Sequence, residues 1–188
     1  MALLTELLLT ISNALLIPVI VLLLLLLAVT IVYFGGMVAE AVVRWRRGPA
    51  FRTLVRNLKT GDQNTVRAED RVALYGLAAK AFRELSSDRD KVLDDLQLEA
   101  ERLLGRLQLG VRLGPILGLA GTLIPLGPAL VSLSSGDVAA LSEKLVVAFT
   151  TTVLGLLVGG ACFAMHSVRR HWYMQDLNDI EFVIKKVR

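Results

Sequence analysis

From Ala14 to Met37 the chain carries no charged side chain, and Ile20 to Ala28 is almost pure leucine. No other feature restricts the fold as strongly. About 20 consecutive apolar residues cross a hydrocarbon core of roughly 30 Å. This run is longer, so it has length to tilt or to project beyond the bilayer. A cleaved signal peptide would need a basic leading region and a shorter apolar core. No Lys or Arg precedes Arg44, which favours a retained span.

Two more uncharged blocks follow, Leu113 to Leu133 and Leu145 to Met165. Between them lies Ser134-Ser135-Gly136-Asp137, with Glu143 and Lys144 after it. So short a polar connection requires antiparallel neighbours. The fold class expected is therefore all-α and integral to the membrane, with three transmembrane helices and long cytoplasmic helical extensions. Composition agrees: 54% of the 188 residues are apolar, against about 45–50% in soluble domains.

Orientation follows from the Lys/Arg asymmetry. None precedes the first span and the hairpin holds only Lys144, whereas the long connection from Gly35 to Arg112 holds 15 and the tail holds 5. That places the connection and the C-terminal tail in the cytoplasm, and the N-terminus and hairpin outside. The organisation expected is an outer-surface amphipathic helix over 1–13, spans over 14–43, 113–133 and 145–168, a cytoplasmic helical region over 44–112, an outward hairpin over 134–144 and a cytoplasmic tail over 169–188.

The formal charge of +4 does not indicate nucleic-acid binding. The 15 cations of the connection are interleaved with 11 carboxylates, the pattern of a solvated helical surface. Within the connection, Gly48-Pro49 and Thr60-Gly61-Asp62 read as breaks. A helix is expected over Val66 to Leu85. Ser87 and Asp90 read as a capping box for another, whose apolar stripe is Val92, Leu96, Ala100, Leu103 and Leu107.

Enzymatic signatures are missing: the sequence has no GxxxxGK[ST], HExxH, CxxC or GxSxG. The two histidines, His166 and His171, have no partner nucleophile or paired carboxylate nearby in sequence. The lone Cys162 lies in an apolar block and reads as a packed thiol. No metal and no cofactor is expected.

The small and polar residues of the last two spans stand out instead. Gly114, Gly118 and Gly121 adjoin on one side of the second span, next to Thr122. Ala148, Thr152, Gly155 and Gly159 line one face of the third. Small residues let helix backbones approach closely in lipid. A span hydroxyl can bond back to its own helix, yet Thr150, Thr151 and Thr152 cannot all share one face. Placed opposite Thr122, they form a hydroxyl band that becomes a ring in a symmetric oligomer, able to hold water and pass protons. Pro125 and Pro128 each remove a backbone donor and kink or loosen the second span. No Asp, Glu, Lys or Arg lies within the apolar blocks 14–37, 113–133 and 145–165, so a proton carrier would have to come from another subunit.

The run Leu113-Gly-Pro-Ile-Leu-Gly-Leu-Ala-Gly-Thr-Leu-Ile-Pro-Leu-Gly-Pro128 resembles the second span of the MotA/TolQ/ExbB proton-channel family, and Leu145-Val-Val-Ala-Phe-Thr-Thr-Thr-Val-Leu-Gly-Leu156 resembles its third. The resemblance implies a ring, expected to be a pentamer, around a single-span ExbD/TolR/MotB-like partner in the cytoplasmic (inner) membrane of a prokaryote. The partner supplies a membrane aspartate, and proton flow turns ring and partner against each other to transmit mechanical work. Thr122 and Thr152 match the family's pore-lining threonines, with Thr151 beside them. Gly121 and Gly155 match glycines packed next to these, and Gly118, Ala148 and Gly159 extend the same packing. TolQ and ExbB carry a glutamate where this chain has Val147; Glu143, one turn further out, is the candidate place where protons enter. Three spans and no large rotor-engaging domain favour the TolQ/ExbB type. A non-conducting membrane scaffold and a holin-like or small transporter protein are the alternatives.

Overall fold

The structure is a computed structural model that describes residues 2–60 and 89–186. Among these residues there are three helices in chain order: α1, Ala2–Thr60; α2, Arg89–Ser134; and α3, Val138–Lys186. Each includes a stretch long and apolar enough to cross a membrane. The expected helix over Val66 to Leu85, the break at Gly61-Asp62 and the Ser87 cap lie outside the described residues.

Two features of α1 differ from the sequence reading. It is unbroken at residue 13, where a surface helix was to give way to a span. It also continues through Gly48-Pro49. One proline removes one intrahelical bond, to the carbonyl four residues earlier, and the flanking bonds suffice to carry a helix past it. Pro18 is accommodated in the same helix, as are Pro115, Pro125 and Pro128 in α2.

The chain forms two compact units, 1–34 with 107–164 and 35–106 with 165–188. In the first unit, α1 buries a narrow seam. Leu23 and Thr30, seven residues apart, are buried, while most of its other described apolar side chains are exposed. A seven-residue spacing keeps one side of a helix against its neighbours. α2 buries Leu107, Gly110, Gly114, Gly118, Gly121, Pro125 and Ala129, at steps of three and four. α3 answers with Ala148, Thr151, Gly155, Val158, Gly159 and Cys162. The remaining faces are exposed leucine, valine and phenylalanine, suited to lipid.

The turn joining α2 to α3 is tighter than the 134–144 hairpin expected, because α3 already starts at Val138. Gly136 adopts φ +78°, which glycine does without a Cβ penalty. The Asp137 N–H bonds the Ser132 carbonyl at 2.9 Å and the Gly136 N–H bonds that of Leu133 at 3.0 Å. These two bonds make a Schellman stop. Asp137 then caps α3, its Oδ1 accepting the Ala140 N–H at 3.0 Å.

In the second unit, the stripe read from sequence is the buried side of α2. Val92, Leu96 and Ala100 are buried and Leu103 is half-buried. α3 contributes Met165, Tyr173 and Ile180 to the core. Charges tie α1 to α3 there. Arg44 donates two hydrogen bonds to the Asp176 carboxylate, at 3.1 and 2.6 Å, and its guanidinium lies 5.0 Å from the centre of the Trp172 ring. Glu40 pairs with Arg44 at 3.3 Å and with Arg169 Nε at 3.3 Å. The latter is an ion pair rather than a directed hydrogen bond, since the buried Arg169 Nε–H is not aimed at the carboxylate.

Candidate functional site

The sequence places its small residues where α2 and α3 of the first unit meet. A Cβ built on Gly114 would stand 2.7 Å from the Gly155 carbonyl oxygen and 2.8 Å from the Gly159 nitrogen. One built on Gly155 would stand 2.5 Å from the Gly114 oxygen and 2.7 Å from the Gly118 Cα. These are backbone atoms, which cannot swing aside as a side chain can. The helices are therefore in main-chain contact over two turns, in the antiparallel order that the short hairpin requires. Gly118 faces Thr151, Thr152 and Gly155, and Gly159 faces Pro115. Ala148 is buried at the same seam.

The three consecutive threonines divide by environment. Thr150 is exposed and its hydroxyl donates to the Val146 carbonyl at 2.7 Å. Thr151 is buried and donates to the Ala148 carbonyl at 2.8 Å. It fills the space left by Gly121, where a Cβ would stand 2.6 Å from the Thr151 Oγ1 and 2.7 Å from its Cβ. Thr151 therefore packs α2 on α3 inside one chain.

Thr152 differs from both. It is half-buried, and its Oγ1 stands 3.5 Å from two acceptors, the Gly118 carbonyl on α2 and the Ala148 carbonyl on its own helix. Good O–H···O bonds lie at about 2.5–3.0 Å. Its hydroxyl is thus loosely held between two helices. Thr122 follows Gly118 by one turn on α2, is also half-buried, and donates to the Leu119 carbonyl at 2.7 Å. Through Gly118, Thr152 is brought to the part of α2 that carries Thr122.

Pro125 is buried and Pro128 half-buried. Lacking an N–H, they leave the Gly121 and Ile124 carbonyls without their usual i+4 donors. α2 remains helical through both. Near the hairpin, the Lys144 Nζ donates to the Pro128 carbonyl at 3.1 Å and to the Ser132 Oγ at 2.8 Å. Ser132 Oγ donates in turn to the same carbonyl at 3.0 Å. A cation over the last turns of a helix also complements its dipole. The neighbouring Glu143 is exposed.

The sequence matches the model of the MotA/TolQ/ExbB proton channel family over residues 64–181, more than half of the chain. The chain belongs to this family. No curated protein and no solved structure gives a match. Family membership makes the chain a multi-pass membrane protein and a proton-channel subunit of a motor driven by the proton-motive force. MotA/TolQ/ExbB members are channel subunits, not enzymes. The matched region contains all of α2 and most of α3 and leaves out α1, so it includes the glycine seam and its threonines.

Two features of this family member's first unit escaped the sequence reading. One is Lys144, whose only signal was its position as the single cation of the hairpin. The other is the meeting of all three helices at Cys162. A Cβ on Gly110 would stand 2.5 Å from its Sγ, and the Thr30 Oγ1 lies 3.5 Å from the same sulfur. Thr30 also donates to the Leu26 carbonyl at 2.7 Å. The thiol is buried, as its apolar sequence context suggests.

Proposed function

We propose that several copies of this chain, five in the reading favoured by the family resemblance, form a ring around a single-span ExbD/TolR/MotB-like subunit. Thr122 and Thr152 line the path on which that subunit's membrane aspartate takes up and releases protons. The observation that carries this reading is the Thr152 hydroxyl, loosely held at 3.5 Å from two carbonyls on two helices while its neighbours Thr150 and Thr151 are bonded to their own helix. A hydroxyl without a committed acceptor can turn toward water or a carboxyl group and return as the proton passes. The chain itself has no Asp, Glu, Lys or Arg from Leu145 to Val168 or from Leu113 to Leu133, so in this reading the carboxyl group that carries the proton belongs to the partner.

In this reading the N-terminus and the hairpin lie outside and the tail in the cytoplasm of a prokaryotic inner membrane. Glu143 stands at the outer mouth, where protons enter. The rigid seam of Gly114, Gly118, Gly121, Gly155 and Gly159, with Ala148 and Thr151, holds α2 and α3 together as one wall of the path. Pro125 and Pro128 shape its outer half. Proton passage turns ring and partner relative to each other, and the partner's outer part delivers the work.

The test is partner-dependent proton flux in vesicles carrying the co-expressed complex. Thr122→Val with Thr152→Val should leave assembly intact by native mass spectrometry and lower flux at least about tenfold, the factor that ~1.4 kcal/mol on the limiting barrier gives. Unchanged flux through an intact assembly would overturn the role given to both hydroxyls and leave the scaffold reading.

A further inference from the structure

Trp45 is 85% exposed, the most exposed large apolar side chain among the described residues. It lies in the second unit, beside two arginines with opposite fates. Arg44 turns toward α3, where it holds Asp176 and stacks near Trp172. Arg46 is exposed. Two helical residues differ by about 200° around the axis, so the two guanidiniums leave α1 on opposite sides. Val38 and Val42 are exposed as well, on the side that carries Trp45 and Arg46. Glu40, the only other charge between Gly35 and Arg44, is spent on Arg44 and Arg169. On the face turned away from α3, valines therefore lead to a tryptophan and then to the first cation.

We propose that Trp45 and Arg46 form a docking point for the headgroup of an anionic phospholipid. The proposal rests on reading α1 as a membrane span. An indole is suited to the boundary, with its ring against acyl chains and its N–H in the polar layer. A guanidinium one residue on reaches a phosphate with paired donors. A second helix is the less suitable occupant. Close helix contact in this chain is made through glycines, as at Gly114 and Gly155. Covering this face with another helix would instead strip water from a guanidinium.

The experiment uses the full chain carrying Trp172→Phe, which leaves Trp45 as its one tryptophan. It is reconstituted in phosphatidylcholine vesicles containing phosphatidylglycerol. Bromine is placed high on the acyl chains of one lipid or the other, at equal mole fraction. Brominated phosphatidylglycerol should quench Trp45 roughly two- to fivefold more strongly, the enrichment that one cation near a membrane surface supports. Arg46→Gln should equalise the two lipids, and Arg46→Lys should keep most of the difference. Equal quenching in the parent chain would overturn the anionic preference. No quenching by either lipid would overturn the docking point altogether. If Trp172→Phe fails to fold, the Trp45 signal is obtained from the natural chain by subtracting that of Trp45→Phe. Neither a partner nor proton flux enters the readout, so its failure is distinct from failure of the channel reading.

Discussion

The two units of this chain hold their helices together by opposite means. In the first, α2 and α3 touch through bare backbone, with Gly114 against Gly155 and Gly118 against Thr151. The described polar groups there are mainly hydroxyls bonded to carbonyls. In the second, α1 and α3 are tied by Arg44 with Asp176 and by Arg169 with Glu40, while α2 presents an apolar stripe of Val92, Leu96 and Ala100. The difference teaches what each solvent permits. Lipid offers helices no hydrophobic reward for meeting, so close van der Waals approach has to supply it. A bidentate ion pair suits a place where its charges need not be buried in hydrocarbon.

The sharpest way to break this comparison is to add bulk to each unit. Gly155→Leu must force apart main-chain atoms that already touch. We expect it to destabilise the fold by about 3 kcal/mol, toward the upper end of overpacking effects, and to abolish flux; thermal unfolding in detergent together with the flux assay checks both. Gly36, in the second unit, has only the flexible Arg169 Nη2 within 4 Å of a built Cβ, at 3.7 Å. Gly36→Ala should leave both measurements near wild type.

The next effect should come from the ion pairs. Arg44→Ala leaves the Asp176 carboxylate, whose side chain is 13% exposed, without its main partner. A loss of about 2 kcal/mol is expected, below that for a fully buried pair. Arg44→Lys keeps the charge but not the two-pronged geometry or the ring contact, and should cost about 1 kcal/mol. Equal losses in the two variants would show that the geometry contributes nothing beyond the charge.

Smaller effects should sharpen the contrast. Gly105 has nothing within 4 Å of a built Cβ, unlike the seam glycines. Gly105→Ala should stabilise α2 by about 0.5–1 kcal/mol, the difference in helix propensity, measurable as a higher unfolding temperature. Smallest of all should be Thr150→Val. This hydroxyl is exposed and bonded within its own turn, so stability should move by no more than about 0.5 kcal/mol and flux should not change. A flux loss comparable to that of the Thr122 and Thr152 pair would show that the three consecutive threonines do not divide as their environments suggest.

Much of this was legible in the residues alone. Uncharged blocks of more than 20 residues leave a chain few choices, and the turn signal at Ser135-Gly136-Asp137 sits where the helices reverse. The glycines of both later spans were recognisable because three- and four-residue spacing puts them on one helical side. The charged network at Glu40, Arg44, Arg169 and Asp176 was not legible. Its two halves, Glu40 with Arg44 on α1 and Arg169 with Asp176 on α3, lie more than 120 residues apart in sequence, and each member looks like an ordinary solvated charge on its own helix. Gly48-Pro49 misled for the opposite reason: a local breaker signal was outweighed by the helix on either side of it.

Local chemistry thus determined the number of long apolar helices, their hairpin and the family to which the chain belongs, because span length, turn residues and motif spacing are properties of neighbours along the chain. The division among Thr150, Thr151 and Thr152 was decided only in three dimensions. One helix offers all three hydroxyls nearly equal chances of bonding backward. The approach of Gly118 and Gly121 from α2 is what buries Thr151 and leaves Thr152 loosely held between two carbonyls, 3.5 Å from each.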